Sequence, residues 1–296
     1  MKRRAFLAAA GAASTAGLAR AAGMEDRPGA AGVAGVAGAA GLAGVTAPTA
    51  TRAQTPAGPV ARGTATRRTI LAIGAHYDDC PFGIPGILLQ AIARGHRVVI
   101  LSMIGDYTNW KPVRGRGPAL VEGTERVNAD VGVESRFLPW ASGRLQATEA
   151  HRRAVAEVVA DVRPDDAFML WSRDQHPDHE VASDLAKSAL HLGDRVLADP
   201  FAPFVTPRRT YLYDNGPRHT IGFVPDTFVD VTPEWPRAIA WLGRLMAVTR
   251  DTAYTDGALD GAQRLKESLA RYRGATCGVT YAEALSAANA YPQSLY

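Results

Sequence analysis

Thr69-Ile70-Leu71-Ala72-Ile73-Gly74-Ala75-His76-Tyr77-Asp78-Asp79 is the stretch that decides the fold. Its first six residues form a continuous apolar run ended by glycine, the pattern of a strand buried on both faces of a parallel sheet. The next five carry a histidine and two adjacent aspartates. A second stretch repeats the arrangement: the apolar run Ala167-Phe168-Met169-Leu170-Trp171 is followed closely by His176-Pro177-Asp178-His179. Each polar motif therefore sits just past the end of a strand, the edge where open α/β sheets bind ligands.

Outward from these two stretches, strands and helices alternate. The spacing predicts a helix from about Gly83 to Arg94, a strand over Arg97–Met103 and a loop from Gly105 to Pro118. A helix over Ala119–Val131, a short strand over Arg136–Pro139 and a long amphipathic helix over Ala147–Val162 follow, then the strand Asp166–Trp171 and a helix starting near Pro177. This order implies a mostly parallel sheet with helices on both faces, a single α/β domain of three Rossmann-like layers. After Leu192 the reading is Arg209–Asp214 and Thr227–Val231 as strands and Glu234–Val248 and Ala262–Arg273 as helices. Tyr281–Ala288 is a candidate third helix.

The turn after the first strand lacks the G-x-G-x-x-G that would let backbone amides approach a pyrophosphate. Its bulky and acidic residues suit a cation instead. Two histidines and one aspartate supply three ligands for a cation such as zinc, leaving one position open, and a second aspartate stays free to act as a base. Alone, each motif has an ordinary structural use: aspartates cap turns and helices, and proline suits a first helical turn. Their joint occurrence after two strands of one sheet favours a shared site.

Ala75-His76-x-Asp78-Asp79 and His176-Pro177-Asp178-His179, at this separation, resemble the PIG-L/LmbE-like family of zinc-dependent deacetylases. The helix-to-strand return Ala93-Arg94-Gly95-His96-Arg97-Val98-Val99 resembles the family too, less specifically. The resemblance implies an LmbE-like fold, with His76, Asp79 and His179 binding Zn²⁺ or another divalent metal. It implies Asp78 as general base, His176 as oxyanion stabiliser or proton donor to the departing amine, and Asp178 as the group that orients His176. The chemistry agrees. A bound cation acidifies water and polarises a carbonyl, a carboxylate can take the proton, and an imidazole can support the developing oxyanion. Tyr77 and Cys80 depart from the family's usual proline and glutamate, and both are expected on the pocket rim, where they bear on the substrate.

Asp106, Tyr107, Asn109 and Trp110 follow the second strand at the same sheet edge, and Arg218 and His219 lie in a Gly/Pro-bounded loop. Asp106, Tyr107, Trp110 and His219 are the substrate-binding candidates, Trp110 as a face for a sugar. His96, His151 and His191 read as surface or capping residues, and Trp235 and Trp241 as core.

Residues 1–23 read as an export signal: Lys2-Arg3-Arg4-Ala5-Phe6-Leu7, a weakly apolar Ala/Gly run, then Ala19-Arg20-Ala21 as the cleavage site. The paired arginines point to the twin-arginine machinery as a partner and to a periplasmic or secreted protein. Replacing Arg3 and Arg4 by lysine is expected to leave the chain in the cytoplasm, and fractionation checks it; undiminished export would discard the twin-arginine reading. Residues 24–68 are rich in Ala, Gly, Pro and Thr and read as a flexible tether, which leaves 69–296 as the domain. The net charge is +4 with charges of both signs interspersed, so nucleic acid is not an expected partner. Cys80 and Cys277 are the two cysteines, a number that permits one disulfide. Oligomeric state stays open, a homo-oligomer included.

The leading expectation is a hydrolase that removes an acyl group, most simply acetyl, from an N-acylated amino sugar or glycan. A metal-dependent phosphoesterase would need further ligand clusters for a second metal. A non-catalytic, metal-dependent carbohydrate-binding protein would have no use for the spare base at Asp78.

Overall fold

The computed structural model describes residues 66–197 and 204–292. The signal of residues 1–23 and all but the last three residues of the 24–68 tether lie outside them. Seven strands form one sheet: β1 Thr69–Gly74, β2 Arg97–Asp106, β3 Val133–Ala141, β4 Asp166–Leu170, β5 Arg209–Tyr213, β6 Thr227–Asp230 and β7 Ala282–Ala287. Their spatial order is β3-β2-β1-β4-β5-β7-β6. The first five are parallel, and β7 runs antiparallel between β5 and β6.

The central strands are mostly apolar because helices cover both faces. From Leu71 to Gly74 and throughout β4 every residue is buried. The helices are α1 Asp79–Gly83, α2 Pro85–Ala93, α3 Gly117–Val131, α4 Glu149–Val162, α5 Pro177–Leu197, α6 Trp235–Arg250 and α7 Gly261–Cys277. α4 packs on α5, whereas α2, α3 and α7 each pack on α6. Trp235 and Trp241 are buried as expected, the latter donating its indole N–H to Asn128.

The chain runs outward from β1 through β2 to β3, then returns to β4 on the other side of β1. The crevice between the carboxyl ends of β1 and β4 is therefore the switch point of the sheet, where ligands of such folds bind. Both histidine motifs open onto it.

Four local readings are corrected. The single helix over Gly83–Arg94 is two helices broken at Ile84, whose φ is −137°. Pro85 causes the break, since a residue preceding proline avoids helical geometry and proline offers no N–H. A buried ion pair secures it: Lys266 Nζ lies 3.0 Å from Glu283 Oε1 and donates to Gly83 O, while Glu283 accepts from Gly86 N and Ile87 N. Strand β2 continues to Asp106 through an irregularity at Ile104. Gly105 lies inside it, and a Cβ there would stand 2.7 Å from Leu138 O. β3 likewise extends beyond Arg136–Pro139 at both ends. Tyr281–Ala288 is no helix: Ala282–Ala287 is β7, because pairing on both edges outweighs the helical preference of Ala, Glu and Leu. Cys80 is buried, Cys277 is exposed, and both are free thiols.

Candidate metal centre

Gly74 ends β1, and the chain turns so sharply that a Cβ there would come within 2.8 Å of Asp79 Cβ. The turn brings Asp79 back under it. Asp79 Oδ2 accepts hydrogen bonds from Ala75 N and His76 N at 2.8 and 2.7 Å, and Oδ1 accepts from Asn215 Nδ2 at 2.6 Å. Across the crevice, His179 in the first turn of α5 presents Nε2 at 3.2 Å from His76 Nδ1 and 3.2 Å from Asp79 Oδ1. His76 Nδ1 is 3.6 Å from Asp79 Oδ2. Ligand atoms about 2.0–2.1 Å from a tetrahedral cation stand about 3.3 Å apart. The His76, Asp79 and His179 donors lie close to that spacing, the two histidines meeting different oxygens of the Asp79 carboxylate, so the three side chains fit a divalent cation.

Both histidines are backed by carboxylates on their other ring nitrogens. Asp178 Oδ2 is 3.2 Å from His76 Nε2, and Asp178 is itself held by Gly143 N and Leu145 N. Asp174 Oδ1 is 3.1 Å from His179 Nδ1, at an angle off the ideal hydrogen-bond line that leaves this nitrogen without a formal partner. Burial disfavours charge on His76, yet Asp178 and Asp79 outweigh it and lift the imidazole to about 9. His179 is lifted to about 10 against the same burial, by Asp79 and Asp174. The surrounding carboxylates favour positive charge on both rings, and a bound cation would supply that charge in place of the protons. Metal-binding histidines characteristically pass their second N–H to such a carboxylate, which fixes the tautomer and raises ligand basicity.

This corrects the expected role of Asp178. Its carboxylate faces His76, not His176; only its backbone N reaches His176, donating to Nδ1 at 3.2 Å. His176 N in turn donates to Asp174. A His176 ring that accepts at Nδ1 carries its proton on Nε2. Burial, with His76 and His179 alongside, holds the ring below its ordinary pKa. His176 is thus suited to donate a hydrogen bond as a neutral imidazole. Asp174→Asn and Asp178→Asn are each expected to weaken zinc binding by about 10- to 100-fold while retaining the fold. Competition with a chromogenic chelator measures this; unchanged affinity in both would detach the carboxylates from the centre.

Asp78 precedes α1 without capping it and lines the same cavity of about 630 Å³. Burial and the adjacent Asp79 push its carboxyl up to about 6. His176, Trp110 and His219 also line the cavity. Tyr107 does so with its hydroxyl committed to Tyr77 N. Asp106 does not: its carboxylate accepts from Thr108 N and closes its own turn. Tyr77 is a buried wall, with its hydroxyl 2.6 Å from Thr249 Oγ1. Cys80 lies beneath the site rather than on its rim, against the Tyr213 hydroxyl, and burial pushes its thiol up. Asp174 and Asn215 are the residues the sequence reading missed. Asp174 stood in plain view two positions before His176. Asn215 follows β5, where only the rule that sites gather at strand ends could have found it.

Two further His/Asp groupings occur among the described residues, His76–His176–Asp178 and Asp174–His179–His219. Each shares a histidine with the first, so neither supplies an independent second metal position.

The family model PIG-L: GlcNAc-PI de-N-acetylase matches residues 71–190, a span that holds both histidine motifs. The chain carries a PIG-L family domain. Solved structures agree on the fold. GalB, the 4-carboxy-2-hydroxymuconate hydratase from Pseudomonas putida KT2440, superposes with a TM-score of 0.66 at 17% identity, over 77% of this chain and 99% of that one. N,N'-diacetylchitobiose deacetylase from Pyrococcus horikoshii gives 0.61 at 19% identity, over 75% and 84%. The A40926 pseudoaglycone deacetylase Dbv21 gives 0.54 at 17% identity, over 77% and 100%. A hydratase and two deacetylases on one architecture mean that the fold does not choose the reaction; the site must.

Proposed function

We propose that the PIG-L domain of this chain is a zinc-dependent N-deacetylase acting on an N-acylated amino sugar or a related glycan. The observation that carries the reading is the spare carboxylate. Asp78 stands beside three residues suited to a cation, in the same cavity, and among the described residues its carboxylate neither caps α1 nor engages another side chain, its one hydrogen bond being to its own backbone. The family's name, which specifies a de-N-acetylase, and the two deacetylases of like fold support the same reading.

His76, Asp79 and His179 would hold the cation, which when bound would supply Lewis acidity toward water and the amide carbonyl. Asp78 takes the proton of the attacking water, so that oxygen can add to the carbonyl carbon. His176 donates its Nε2–H to the developing oxyanion. The proton on Asp78 then passes to the amide nitrogen, the C–N bond breaks, and acetate and a free amine result. Asp174 and Asp178 hold the two metal-binding imidazoles in the required tautomer. A positioned base contributes about 10²- to 10⁴-fold and an oxyanion donor about 10²- to 10³-fold.

Acetate release from a panel of N-acetylated amino sugars tests this. Release is expected, abolished by a chelator and restored by zinc. A chain that binds zinc but releases acetate from no member of the panel would discard the deacetylase reading.

A further inference from the structure

The cavity of about 630 Å³ far exceeds an acetamide group and leaves room for the remainder of the substrate. Away from the histidine cluster its lining includes two arginines, Arg218 and Arg250. Among the described residues the only acidic ones lining it are Asp78 and Asp79, both at the metal end. Among the described residues Arg218 has no acidic partner within ion-pair distance, and its charge is felt at His219.

The arginines sit on anchored backbone. Arg218 belongs to a loop tied to the metal centre from two sides: Asn215 donates to Asp79, and Gln175 N donates to His219 O. Asn215 N also donates to Thr220 Oγ1, which closes the loop on itself. Arg250 is aimed by Asp260, 2.8 Å from its Nη2. Asp260 is already engaged as the cap of α7, accepting from Gln263 N. Gly261 and Ala262, the first residues of that helix, line the cavity as well, and their end of the helix adds a smaller positive contribution. Guanidinium groups pair with carboxylates and phosphates through parallel hydrogen bonds.

We infer that this part of the cavity is a subsite for an anionic oxyacid group, a phosphate ester or a carboxylate, carried by the substrate several bonds from its N-acyl group and gripped by Arg218 and Arg250. The inference deepens the deacetylase reading, on which it rests only for where the reacting end lies.

Three probes of one scaffold test it on the zinc-loaded protein: N-acetylglucosamine, its 6-phosphate, and N-acetylmuramic acid, which bears a carboxylate. KM for at least one anionic sugar is expected to be about tenfold or more below that of the neutral one. The preference should weaken as salt rises. In Arg218→Gln, which breaks no ion pair, it should shrink; with Arg250→Gln added it should vanish, and Arg218→Lys should restore part of it. Which anion is favoured separates phosphate from carboxylate. Equal KM values for all three sugars, or a preference that survives the double substitution, would overturn the subsite. Should none of the sugars be hydrolysed, the deacetylase reading fails on its own. Calorimetric binding of the same three sugars then decides the subsite, with the same order expected and its absence overturning it.

Discussion

Asp78→Asn should lower acetate release by about 10²- to 10⁴-fold and leave the bound zinc in place, the cost expected for losing a general base. The substitution preserves shape and removes only the capacity to hold a proton. The donors proposed to hold the metal, His76 Nδ1, Asp79 and His179 Nε2, stand together without Asp78. Turnover under saturating zinc, with metal content measured on the same sample, checks the result. Loss of zinc would mean that the two neighbouring aspartates have exchanged roles. Unchanged turnover would remove Asp78 from the chemistry.

His179→Ala should have the second largest effect, a fall in zinc affinity of roughly 10²- to 10³-fold, since one of only three protein donors disappears. Asp79→Ala should lose at least as much. The Asp79 carboxylate also organises the turn, accepting from Ala75 N, His76 N and Asn215 Nδ2. Its removal leaves three donors unpartnered and disorders His76 along with itself. Equilibrium dialysis against a zinc buffer gives the affinities, and circular dichroism establishes that the sheet survives. Wild-type affinity in both variants would mean that these residues do not hold the metal.

The parts of this molecule legible in its sequence were those written in short stretches of chain. β1 and β4 announce themselves as apolar runs, and each motif follows its strand by a few residues, so the sheet edge and the residues gathered there could be read directly. Orientation could not. Spacing places Asp178 near both His76 and His176, and only the turn at Gly143, whose N–H binds Asp178, decides which it faces. Asn215 was hidden because its meaning depends on β5 lying beside β4. β7 was misread for a similar reason: its residues favour a helix locally, and pairing with two neighbours overrides them. The break at Ile84 was different, since Pro85 announced it and the apolar spacing around it concealed it.

Titration of metal-free protein with Zn²⁺ tests the central claim most directly, with acetate release from an N-acetylated amino sugar and bound zinc followed together. Activity is expected to rise in proportion to bound zinc and to level off at about one equivalent per chain, as a centre with three protein ligands requires. Full activity in the metal-free protein, or zinc bound stoichiometrically with no acetate released, would contradict it.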